Sequence, residues 1–355
     1  MTTPENAYQK LANVFSSRGN QILEIEMISS ALETSFLQDE LFIGITKKML
    51  VAAYTVARKL FTQHRSMTDD EFHTDPFATN TESSVAFRRT ITEIMLLFDC
   101  EHLSACNWRK RWLKTAVTYA KTQDQIISMR EVLETELTLL TTYQCSPLHR
   151  HTKSPTLWSH RLWVLRQMLY IQVWSIEELR KLEQTELQGV LRAAELHPKN
   201  YYAFSYMRQL HTLLANTPGV ADRTKWAAEL AGSLVDPVLE WCLSHPRDIS
   251  GCIFLRYLLF IISDQQIRRN TVGKVIVFAR DIGWEGESLW TFVDQAIREF
   301  DLENILDDLL PSSDHGKSES VSVSLTLGDD QYPPGKWPWL ARLARAKSYW
   351  SVFKQ

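Results

Sequence analysis

The sequence predicts an all-α fold, an α–α superhelix of antiparallel helical hairpins, and three observations carry that reading. Apolar residues recur at helical spacing along almost the whole chain. Glycine is scarce, 12 residues in 355, whereas a sheet-rich fold of this size needs many tight turns that glycine opens. An apolar anchor also returns at a steady interval, each time just after a residue suited to start a helix.

In chain order, Ile22 to Phe61 predicts two or three helices. Gln63 to Ser84 is polar, contains Pro76, and predicts a long loop or a disordered insertion. Helices are predicted over Arg88–Leu103, Gln125–Tyr143, Ile176–Leu196 and Lys225–Leu243. The last is expected to break at Asp236-Pro237, because proline removes a ladder N–H and restricts the residue before it. Pro311 to Pro338, rich in Ser, Asp, Gly and Pro, predicts a second loop or linker, and Trp339 to Phe353 a short closing helix. The resulting organisation is N-terminal helices over 1–87 with the polar loop at 63–84, helical repeats over 88–310, a linker over 311–338 and a Trp-rich helix over 339–355.

The repeat sets the architecture. Trp108, Trp158, Phe204 and Cys252 stand 50, 46 and 48 residues apart. Four residues before each stand Ser104, Ser154, Asn200 and Asp248, side chains whose oxygens cap helix N-termini. An arginine follows each anchor by three or four residues: Arg111, Arg161, Arg208 and Arg256. Two of the helices follow similar turns, His197-Pro198-Lys199-Asn200 and His245-Pro246-Arg247-Asp248. A fifth, degenerate unit starts near Glu287-Ser288-Leu289-Trp290. A hairpin cannot bury its apolar stripe alone, and stacked neighbours can. The repeated Trp residues, Trp163 among them, read first as core. The repeated Arg residues read as bridges between hairpins or as contacts to a partner's acidic groups.

A net charge of −3 gives no strong overall field for nucleic acid or an anionic membrane. The cysteines, Cys100, Cys106, Cys145, Cys242 and Cys252, are odd in number and form no CxxC pair, which suits a reducing compartment. No apolar run reaches membrane-spanning length, and the first ten residues lack a signal peptide's apolar core, so a cytoplasmic protein without a membrane span is expected. Cys100, His102 and Cys106 are compact in sequence, but no second pair completes the four ligands zinc prefers. No hydrolase, metalloprotease, dinucleotide or Walker motif is present. His149-Arg150-His151-Thr152-Lys153 is a basic loop that either meets an acidic surface or is simply solvated.

Ser154-Pro-Thr-Leu-Trp158-Ser-His160-Arg161-Leu-Trp163-Val-Leu165 and Pro198-Lys199-Asn200-Tyr201-Tyr202-Ala203-Phe204 resemble the repeat of protein prenyltransferase α subunits, with weaker copies at Asn107–Leu113, Asp248–Cys252 and Glu287–Trp290. Cys252 in place of Trp, Tyr206 in place of His and the shifted Arg208 and Arg256 mark a divergent copy. The resemblance implies a crescent of hairpins wrapped around a catalytic β subunit, with the Rab geranylgeranyltransferase β subunit as the candidate. That partner would hold zinc and the isoprenoid diphosphate, and this chain would hold neither. The implied activity of the pair is transfer of an isoprenoid, geranylgeranyl in the first instance, to a C-terminal cysteine of a protein substrate. The resemblance also implies that Lys199, and more weakly Tyr201, contacts the diphosphate. The alternative reading is a non-catalytic helical-repeat scaffold or protein-interaction module. A tetratricopeptide array fits less well, because its period is about 34 residues.

Overall fold

A computed structural model describes residues 3–32, 34–63, 84–217 and 222–305. The polar stretch at 64–83, the linker at 311–338 and the Trp-rich segment at 339–355 lie outside the described residues. The described chain is predominantly helical, as the periodicity predicts, and comprises twelve α-helices with one small sheet. It divides into two compact units, Met1–Arg223 and Thr224–Gln355.

The first unit opens with α1 (Pro4–Ser17), capped by the Thr3 hydroxyl, which accepts from the Asn6 N–H. Three strands then follow where helices were expected: β1 (Glu24–Ile28), β2 (Phe36–Asp39) and β3 (Phe42–Thr46). Their order is β1-β3-β2, with β1 parallel and β2 antiparallel to β3. The β-branched alternation of Phe42-Ile43-Gly44-Ile45-Thr46 buries Ile43 and Ile45 and turns Phe42 outward, a period of two rather than 3.6. α2 (Lys47–Gln63) closes this N-terminal segment.

Three hairpins follow: α3 (Ser84–Phe98) with α4 (Leu103–Thr122), α5 (Ile126–Gln144) with α6 (Pro155–Ile171), and α7 (Ile176–Leu196) with α8 (Tyr201–Ala215). α4 packs on α6 and α6 on α8, while α5 packs on α7. The even-numbered helices therefore form one layer and the odd-numbered helices the other. The N-terminal segment is fastened to α5 and the turn after it by hydroxyls four residues apart. Leu23 N–H donates to Thr142 Oγ1 at 3.0 Å and Ile25 N–H to Ser146 Oγ at 2.9 Å, while Arg18 reaches Thr138 Oγ1 and the Thr135 carbonyl.

Three of the four expected caps are in place. Ser154, Asn200 and Asp248 each accept from a backbone N–H of the helix they start. The fourth falls two residues earlier, on His102, whose Nδ1 accepts from Ala105 N–H, and Ser104 is an exposed residue inside the first turn. The caps also tie successive turns together. Ser154 Oγ donates to the Cys100 carbonyl, and Asn200 Nδ2 to the Thr152 carbonyl at 2.8 Å.

The second unit contains α9 (Arg223–Ser244), α10 (Ile249–Ile261), α11 (Gln265–Asp281) and α12 (Glu287–Glu299). α9 runs unbroken through Pro237, contrary to the expected break at Asp236-Pro237. Leu234 and Val235 before the proline and Val238 and Leu239 after it are all buried. Their combined burial, about 1.5–3 kcal/mol each, exceeds the roughly 3 kcal/mol an internal proline costs. Gly251 lets α10 approach α9 closely, since a Cβ there would stand 2.4 Å from the Trp241 ring.

Candidate functional site

The titratable groups of the first unit fall into a buried set and an exposed set. The buried set repeats. Glu136, in the middle of α5, accepts from Arg109 of α4 (Nε to Oε1, 2.8 Å; Nη2 to Oε2, 2.5 Å) and pairs with His160 Nε2 of α6 at 2.7 Å. Fifty residues on, Glu186 in the middle of α7 accepts from Arg161 of α6 (Nε to Oε2, 2.6 Å; Nη2 to Oε1, 2.7 Å) and from the Tyr206 hydroxyl of α8. α5 and α7 thus each supply a carboxylate that clamps the even-numbered helices on either side. Glu183 adds a pair to His211 Nδ1 at 2.8 Å.

Burial alone would push the Glu136 carboxyl up, but the Arg109 charge and hydrogen bonds, with His160, hold it well below the usual carboxylate range. Burial would likewise lower His160, and its contacts with Cys106 and Glu136 outweigh that and raise it. The Tyr206 hydroxyl is pushed well above its ordinary value by burial and by Glu186. Cys106, His160 and Glu136 have the composition of a nucleophile–base–carboxylate set. All three are at most 2 % exposed, with Glu136 already held by Arg109, so a substrate has no approach to them. Among the described residues, no group of three or more His, Cys, Asp and Glu is arranged to hold a metal ion.

The motif residues take unequal positions. Trp108, Trp158, Phe204 and Cys252 are core, and Trp163 is half-buried, its ring stacked on His160. Trp158 and Trp290 share a device, each indole N–H donating to a carbonyl six residues upstream, in Thr152 and Trp284. The four arginines are not equivalent. Arg161 is a buried clamp, Arg111 is exposed, Arg208 is half-buried, and Arg256 joins Gln295 and Glu299 of α12. The buried counterpart of Arg161 is Arg109, only one residue after its anchor and so outside the three- or four-residue spacing of the motif. Tyr206 does stand in for His160, since both bind the carboxylate of the preceding helix.

Lys199 and Tyr201 are exposed, and Lys199 has a positive φ of 60°. They lie beside the basic loop, where Thr152 Oγ1 is 3.2 Å from His197 Nδ1 and the His149 and His197 rings are 5.0 Å apart. Desolvation, Lys153 and His149 together lower the His197 pKa.

The exposed set is segregated by helix. α4, α6 and α8 contain no Asp or Glu, whereas α5 and α7 carry Glu131, Glu134, Glu177, Glu178 and Glu195 besides the clamps. On α4, Arg111, Lys114, Thr118 and Lys121 are exposed at helical spacing along one stripe. On α6 the stripe is Ser159, Trp163, Arg166 and Tyr170. The two stripes meet where Lys121 Nζ sits 3.2 Å from the centre of the Tyr170 ring. Between α6 and α8, Arg166 and Arg208 line an open cleft of about 470 Å³. The even-numbered layer of this unit therefore presents cations, hydroxyls, amides and aromatic rings, with no acid on any of its three helices.

The family model described as "ECM9 middle domain" matches residues 162–277, about a third of the chain. This match lies inside the span assigned above to the prenyltransferase α-subunit repeat and names a different family, so it overturns that resemblance. Capped helices that begin with a buried anchor every 46–50 residues serve any stack of long hairpins, and the motif's arginines do not play one common part. The diphosphate role of Lys199 and Tyr201 loses its premise with the resemblance. No curated protein matches the chain. Among the described residues no helix is long and apolar enough to cross a membrane.

Proposed function

We propose that this chain is a non-catalytic helical-repeat scaffold, and that the exposed face of α4, α6 and α8 is where it holds a protein partner of acidic surface. The segregation of charge carries this reading. In a chain of net charge −3, three neighbouring helices exclude acids altogether while α5 and α7, packed beside them, are glutamate-rich. Cations gathered without interspersed acids raise the local potential and repel one another, and an acidic partner relieves that repulsion. The buried clamps serve the same end by fixing the hairpins that display the face. A compact acidic segment suits it better than nucleic acid. The stripes carry only a few cations each, whereas a duplex presents a charge about every 1.7 Å of its axis, and the acidic remainder of the chain repels a long polyanion.

Lysine footprinting tests the proposal. The chain is acetylated briefly in buffer and in clarified extract of its own source cells. Lys114 and Lys121 are expected to be protected in extract while Lys181, exposed on α7, stays reactive. Equal labelling of all three in both conditions refutes the proposal.

A further inference from the structure

The cleft between α6 and α8 goes one step past a general electrostatic face. Arg166 enters it from α6, and Ser205, Arg208, Gln209, Thr212 and Asn216 from α8, over an apolar floor at Leu213. None of these lining residues is acidic. Its volume of about 470 Å³ falls within the range of about 300 to 1,000 Å³ of sites that take whole small ligands, so it has room for one or two side chains. Much of the amide and hydroxyl capacity is already used along α8. Gln209 Nε2 donates to the Ser205 carbonyl, Thr212 Oγ1 to the Arg208 carbonyl and Asn216 Nδ2 to the Thr212 carbonyl. These bonds hold the α8 wall in one arrangement, and Arg166 brings a guanidinium to it from α6.

We infer that this cleft seats carboxylate side chains of the partner's acidic segment, with Arg166 as the residue that selects them. The inference rests on the scaffold reading above. A guanidinium presents a planar fork that matches a carboxylate with two parallel N–H···O bonds, which an ammonium does not. The Leu213 floor accepts the methylenes that carry a glutamate's charge. Oxyanions of phosphorylated residues share this chemistry, so the test separates the two sources.

The experiment is fluorescence anisotropy of the full chain with three labelled probes: a glutamate-rich peptide, the same peptide with phosphoserine replacing glutamate, and a single-stranded DNA oligonucleotide of equal length. Arg166→Glu is expected to weaken the glutamate peptide on the order of tenfold or more, and Arg166→Lys to weaken it by a smaller factor through loss of the fork. Lys181→Glu, on α7, is expected to leave binding unchanged. Arg166 is exposed, and thermal melting checks that each variant is folded. Binding by Arg166→Glu at wild-type affinity overturns the cleft. If Lys114→Glu weakens the peptide in that same case, the wider face stands and only the cleft falls. Preference of the wild type for the phosphoserine peptide or the oligonucleotide, or no binding of the glutamate peptide at low salt, also overturns the inference.

Discussion

Replacing Glu186 by alanine tests the clamp that orders the hairpins. The carboxylate is 3 % exposed, grips Arg161 in a two-pronged bond at 2.6 and 2.7 Å, and takes the Tyr206 hydroxyl on the same oxygen that meets Arg161 Nε. Arg161 Nη1 keeps its bonds to Thr141 Oγ1 and the Leu137 carbonyl, but the guanidinium charge is left buried without a counter-charge. Breaking one side of a buried pair costs about 3–5 kcal/mol, and an orphaned buried hydroxyl about 1–3 kcal/mol. The two share one site and do not add, so a loss of about 4 kcal/mol is expected. Glu186→Gln, which keeps the shape and one acceptor, is expected to lose about half of that. Arg161→Met/Glu186→Met is expected to recover most of the loss, because removing both charges also removes the desolvation cost. The assay is urea unfolding followed by circular dichroism and by tryptophan fluorescence, to which Trp158, its ring 4.9 Å from that of Tyr206, contributes. A loss below about 1 kcal/mol for Glu186→Ala, the range of an exposed pair, refutes the reasoning. So does a double variant no more stable than the single one.

Three further outcomes follow from local geometry. Glu136 has a depressed pKa, so its stabilisation is complete above the ordinary carboxylate value of 4.5 and is lost as pH falls below it. His160 has a raised pKa, so its stabilisation is complete below 6.5 and is lost as pH rises through the folded-state value. Urea midpoints should therefore peak between those limits and fall on both sides, and Glu136→Gln should flatten the acid limb. Gly251→Ala should destabilise by about 1–3 kcal/mol through overpacking against Trp241, despite alanine's better helix propensity, and a stability gain would contradict the close approach. Lys199→Gly should raise the melting temperature, because a lysine at φ 60° costs about 1 kcal/mol or more that glycine does not.

The helical skeleton was legible where local chemistry alone decides it. Ile176–Leu196 coincides with the predicted helix, and Ser154, Asn200 and Asp248 cap as their side chains suggest. What escaped depends on tertiary partners. Glu24-Ile-Glu-Met-Ile becomes a strand because β3 and the Ser146 hydroxyl, just past α5, complete its backbone bonds. Pro237 stays inside α9 because both flanks are buried. Motif spacing points to Arg111, whereas burial picks Arg109, the residue facing Glu136. The clamps did leave a signal, since Glu136 and Glu186 each precede a leucine on an apolar helix face, 50 residues apart. The absence of acids from three alternate helices was also written in the sequence, and it gains meaning once those helices form one layer.

The central claim is that the α4–α6–α8 face holds a protein partner, and charge reversal on that face tests it most directly. Tagged full chain, its Arg111→Glu/Lys114→Glu variant and a Lys181→Glu control on α7 are used to capture proteins from extract of the source cells, with captured proteins quantified against the bait. The account predicts that the double reversal loses an acidic protein that wild type and control both retain, with an unchanged melting temperature. Retention of the same proteins in the same amounts by the double reversal would contradict it.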